Sequence, residues 1–169
     1  MSNLIFDNGD FARLSKTLHG ELVIADLERV AAEVLTGETI SFALAGGIDR
    51  LQRKVLDLSL QGTFELKCQR CLKPMPFELD VATRFTLFAD EERLEQAEAD
   101  DEDLEGLLFE HEFNLINLIE DEILLSLPFA PAHDACDVEA SVAPADVPKK
   151  PNPFAVLADL KGKLKRGED

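Results

Sequence analysis

Between Ile40 and Leu87 the chain alternates apolar and polar residues with period two, and that pattern most constrains what it can fold into. Leu56, Leu58 and Leu60 alternate with Asp57 and Ser59, and Phe64, Leu66 and Cys68 continue in the same manner. Phe77, Leu79, Val81, Phe85 and Leu87 hold the period over eleven residues. Successive side chains of a strand point to opposite faces, so each run makes an extended ribbon with one apolar face. Ile40, Phe42 and Leu44 open the series, and Gly46-Gly47 and Gln61-Gly62 read as turns between runs. Three or four such strands in succession form an antiparallel meander that curls toward a barrel.

Helical spacing flanks this region. Leu27, Val30, Ala31 and Val34 recur at intervals of three and four, which predicts a helix over 25–36 with Asp26 near its start and Gly37 as its stop. Past the strands, "LLFEHEF" reads as a short closing strand, and Asn114 as the N-cap of a helix over 115–127 that Pro128 limits. Residues 131–151 contain four prolines and read as an extended linker. After "PNP", Phe154, Leu157, Leu160 and Leu164 form one stripe of a short C-terminal helix, too short to be stable undocked. The expected fold class is α+β, an antiparallel meander curling toward a barrel with these three helices around it. The expected division is one domain over 1–130, then a linker and short helix over 131–169.

Charge narrows the function. The formal net charge is -17, and a field of that sign disfavours non-specific binding of nucleic acid by the whole surface. Twelve carboxylates face one arginine, Arg93, between Asp90 and Glu112. The stretch over 89–106 reads as a solvated acidic loop or a disordered insertion, with an electrostatic lure for a basic partner as the functional alternative. From Lys149 onward the balance reverses, with six bases against three acids. Glu120-Asp121-Glu122 falls on consecutive helical positions that point in different directions, which reads as surface solvation rather than as an acid dyad. A local basic patch of Arg50, Arg53, Lys54, Lys67, Arg70 and Lys73 offers the one route to direct RNA contact.

Catalytic motifs do not stand out. There is no Gly-rich phosphate loop, nucleophile elbow or H-E-x-x-H, and the three histidines are scattered. Met1 to Phe6 is too short and mixed for a signal peptide, and no run reaches the roughly 20 apolar residues of a membrane span. With only three cysteines, the chain reads as a cytoplasmic protein without a disulfide framework. Two of them are spaced Cys68-x-x-Cys71, and His133-x-x-Cys136 repeats the spacing downstream. Four such ligands, Cys68, Cys71, His133 and Cys136, can hold zinc in a tetrahedron. Plain thiols at a hairpin tip and a redox dithiol stand beside that reading.

"LKCQRCLKPMPFEL", "INLIEDEILLSLPFAPAHDAC" and "KKPNPFAVLADLK", in that order, resemble the YceD family of large ribosomal RNA subunit accumulation proteins. The resemblance runs over nearly the whole chain. It implies a non-catalytic ribosome biogenesis factor that supports synthesis, processing or accumulation of large-subunit (23S) ribosomal RNA. The acidic character then favours a ribosomal protein or an rRNA-maturation factor as partner over RNA itself. Asn152, Pro153, Phe154, Val156, Leu157 and Leu160 form a proline-bounded apolar segment suited to docking in a partner's groove, or on the chain's own body. A carboxylate- and metal-dependent RNA-processing or RNA-modifying enzyme is the alternative, and it would need several acids converging on one ion.

Overall fold

The structure is a computed structural model, and it describes residues 4–135. The expected C-terminal helix therefore lies outside the described residues. Among the described residues, seven strands and four helices follow one another as β1 (Ile5–Phe6), α1 (Asn8–Arg13), β2 (Thr17–Val23), α2 (Glu28–Glu33), β3 (Thr36–Ile48), β4 (Lys54–Lys67), β5 (Pro74–Phe88), α3 (Glu91–Asp100), β6 (Glu105–Leu108), β7 (Phe113–Asn114) and α4 (Leu115–Ser126).

The meander is present, but it does not close. Five strands lie in the order β2-β3-β4-β5-β6; the first three pairings, β2–β3, β3–β4 and β4–β5, are antiparallel and β6 adds to β5 in parallel. Among the described residues the edges β2 and β6 do not pair with each other or with a further strand, so the sheet is open and not a closed barrel. Its inner face carries Ile40, Phe42, Leu44, Leu56, Leu58, Leu60, Phe64, Leu66, Leu79, Phe85 and Leu87. Against that face pack Phe11 and Ala12 of α1, Leu27 and Val30 at α2, and Leu115, Leu118, Ile119 and Ile123 of α4. Each fully buried side chain of this kind contributes about 1.5–3 kcal/mol, so an open sheet is held by its helical layer instead of by closure. The ribbon of β1 with β7 ties the start of the chain to the start of α4, where Phe6 packs on Phe11 and Phe113.

Both expected glycine turns are corrected. β3 runs straight through Gly46-Gly47, and the turn falls over 49–53, where Asp49 accepts hydrogen bonds from the backbone of Leu51 and Arg53. Gly46 is instead where α1 crosses the sheet: a Cβ there would lie 2.6 Å from the carbonyl oxygen of Phe11. Gln61-Gly62 is likewise interior to β4, opposite the register shift between Gly37 and Ile40. The two apolar runs 56–60 and 64–68 thus belong to one long strand and its end.

The helices also depart from expectation. The helix expected over 25–36 shrinks to Glu28–Glu33, preceded by a 3-10 turn over Ile24–Asp26, and Asp26 does not cap it. Its start is capped from a distance, because Glu120 Oε1 accepts from the backbone N–H of Arg29 at 2.8 Å. At Asn114 the expected cap holds: its side chain accepts from Ile116 N, and α4 ends one residue before Leu127. The acidic insertion is ordered. Asp90 caps α3 by accepting from Arg93 N, and Leu94 lies directly over Gly106 of β6, where any side chain would collide. A β-α-β crossover suits the parallel β5–β6 pair it connects.

Candidate metal centre

The hairpin joining β4 to β5 bears the cysteines. Cys68 N donates to Lys73 O, Leu72 N donates to Cys68 O, and Leu72 takes a left-handed backbone conformation with φ of 61°. This tight knuckle turns the backbone N–H groups of Cys71 and Arg70 toward the Cys68 thiol. The hydrogen bond from the Cys71 N–H is the largest influence on that thiol, and burial opposes it. The His133 and Arg70 N–H groups and the Cys71 side chain add to the lowering, which brings the thiol to about 5. Cys68 is fully buried, and Cys71 is half-buried.

The segment after α4 then returns to the knuckle. Gln69 N donates to Pro131 O at 2.7 Å, which brings His133 alongside. His133 Nε2 lies 3.1 Å from Pro74 O, a carbonyl that can only accept, so this nitrogen carries the proton. Nδ1 faces Cys71 Sγ at 3.4 Å and, when it carries no proton, directs its lone pair to the same point. Fixing the tautomer of a ligand histidine through a backbone carbonyl is the usual outer support of a metal site.

Cys68, Cys71 and His133 offer ligand atoms that all lie within 4.8 Å of one another. With Zn–S near 2.3 Å and Zn–N near 2.0–2.1 Å, a tetrahedral zinc sets its sulfur and nitrogen ligands about 3.5 Å apart, so the donor set fits. The fourth expected ligand, Cys136, lies outside the described residues, as do Asn152, Pro153, Phe154, Val156, Leu157 and Leu160. Among the described residues no other group of three His, Cys, Asp or Glu side chains converges in this way.

Two comparisons place the chain. Residues 56–161 match the family model described as large ribosomal RNA subunit accumulation protein YceD. The chain belongs to the YceD family. It is also 35% identical over 147 residues, covering 81% of this chain and 83% of the other, to the large ribosomal RNA subunit accumulation protein YceD of Haemophilus influenzae. No solved structure matches it.

Two sequence expectations fail in this YceD chain. The basic residues do not form one patch: Lys54 begins β4 and Lys67 ends it, about 40 Å apart along an extended strand. Arg53 is paired to Asp49 at 2.7 Å, and Lys54 sits over the Phe109 ring. Nor is Glu120-Asp121-Glu122 a solvated cluster. Glu120 is buried and caps α2, Asp121 pairs with the Arg29 side chain, and Glu122 accepts from Thr83 Oγ1 at 2.6 Å. Their spacing along one helix held no sign of this, because the partners come from β5 and α2. Pro74 and Pro131, which support the knuckle through their carbonyls, were also unmarked by any motif. Among the described residues no helix is long and apolar enough to cross a membrane.

Proposed function

We propose that this YceD chain is a non-catalytic, cytoplasmic ribosome biogenesis factor that supports accumulation of large-subunit ribosomal RNA by binding a basic ribosomal or rRNA-maturation protein. Family membership across four-fifths of the chain is the observation that carries the ribosomal part of the reading. The protein-binding part draws on charge. On α3, Glu91, Glu92, Glu95 and Glu98 stand exposed on an ordered helix, so the acidic stretch presents a fixed array to a cationic partner. The same field repels RNA phosphates. Zinc on Cys68, Cys71, His133 and Cys136 serves as a structural staple that holds the start of the C-terminal segment on the knuckle. The apolar stripe over 152–160 then docks in the partner's groove.

Affinity capture from cells tests this, comparing the full chain, a chain ending at Pro148, and a full chain carrying Glu91→Gln, Glu92→Gln, Glu95→Gln and Glu98→Gln. The expected result is a basic ribosomal or maturation protein that survives nuclease treatment and is lost from both variants. Capture that disappears entirely on nuclease treatment would instead make RNA the direct ligand. Large-subunit RNA measured against small-subunit RNA in cells expressing each variant connects the lost contact to accumulation.

A further inference from the structure

The sheet treats its open edges differently. β6 pairs with β5 only over 85–88, and the rest of that edge of β5 begins with Pro74 and Pro76, which have no N–H to offer a new strand. Asp80 and Glu78 add charge along it. β6 itself is only four residues long. Short strands, prolines and charges are the usual guards against edge-to-edge pairing. The opposite edge, β2, is guarded far less, with Glu21 as its one carboxylate. It runs seven residues, Thr17–Val23, with no proline, lysine or bulge, and among the described residues it pairs only with β3.

Its sequence, T-L-H-G-E-L-V, is self-complementary about Gly20. If two copies run antiparallel with Gly20 facing Gly20, Leu18 meets Leu22 on the inner face. Thr17 meets Val23 and His19 meets Glu21 on the outer face. Each pair occurs twice, as an isologous two-fold contact requires. His19 and Glu21 are both exposed, so an imidazole N–H on one copy comes opposite a carboxylate on the other. Beyond the ends, Lys16 of one copy nears the Ile24–Asp26 turn of the other. Beneath the same edge runs a groove of about 390 Å³ lined by Leu4, Leu18, Leu22, Phe42 and Ile116. Two such grooves become continuous across the axis.

We propose that β2 is the dimerisation edge of this protein, joining two copies through a Gly20-centred antiparallel pairing into one ten-stranded sheet. Because each copy carries a charge of -17, repulsion opposes the approach and added salt strengthens the dimer.

Sedimentation of the full chain over a concentration series tests the edge. The expected species approaches twice the 18.7 kDa chain mass, more so at higher salt. His19→Glu places like charges opposite each other twice and yields monomer, while the swap His19→Glu with Glu21→His restores the dimer. Both positions are exposed, and unchanged circular dichroism would show that each variant is folded. Hydrogen exchange at the amides of 17–23 slows as concentration rises. Three results would overturn the proposal: a wild type that stays monomeric, a dimer indifferent to His19→Glu, or β2 protection that does not depend on concentration. The last would mean that the chain's own residues cover the edge.

Discussion

Zinc bound at the knuckle would stabilise the chain by an amount set by the loop it closes. Cys71 and His133 are 62 positions apart, so a metal held by both closes a long loop. Treated as a cross-link, a loop of that length removes about 4 kcal/mol of conformational entropy from the unfolded chain. The unfolded chain can still hold zinc weakly through Cys68-x-x-Cys71, which lowers the net gain to about 2–4 kcal/mol. For a chain of this size each kcal/mol moves Tm by about 2–4 °C, so stripping the metal should lower Tm by about 4–16 °C. Scanning calorimetry on metal-stripped protein, with zinc then returned stoichiometrically, measures the increment. His133→Ala and Cys71→Ser remove the zinc-dependent increment while changing the metal-free Tm far less, because neither side chain is fully buried. The reasoning is refuted if returned zinc leaves Tm unchanged, or if His133→Ala retains the whole increment, since the staple then does not pass through residue 133.

Other perturbations test the frame around the site. Glu120→Ala deletes the charge-assisted hydrogen bond to Arg29 N and should cost about 2 kcal/mol in urea unfolding, with Glu120→Gln costing roughly half. Asp121→Ala, which breaks only an exposed pair, should cost far less. Gly46→Ala forces a Cβ into the backbone of α1 and should destabilise by about 1–3 kcal/mol, read from the thermal midpoint; a neutral result would mean α1 can lift off β3 freely. Asp7 is held below its ordinary 3.8, first by the Asp10 N–H at the start of α1 and then by His111. A carboxylate with a depressed folded-state value adds stability that is present above 3.8 and lost as pH falls through that lower value. Asp7→Asn keeps the cap but should flatten the acid limb of the stability–pH curve; an unchanged limb assigns it to other groups.

What the sequence made legible was whatever a few neighbouring residues decide. Period two placed the central strands, Asn114 marked its own helix start, and the repeated x-x spacing singled out Cys68, Cys71 and His133, which the fold brings together, while leaving plain thiols and a redox dithiol open beside a metal. The misreadings share one physical origin. Gly46 and Gly62 carry the same residue as a turn glycine, but here the missing side chain makes room for α1 and for a bulge in a neighbouring strand. Glu120 looks like any surface carboxylate until α2 arrives from 91 positions earlier with an uncapped N–H. In each case the deciding partner lies far along the chain, and local pattern contains no term for it. The acidic stretch is the same problem reversed: its composition argues for disorder, yet Asp90 caps it and Gly106 gives Leu94 a seat, two local features that outweigh the repulsion of its own carboxylates. A charged helix held by so narrow a stripe, Leu94 and Ala97, is an exposed arm of the sheet, and its carboxylates stay in solvent because so few of its side chains pack.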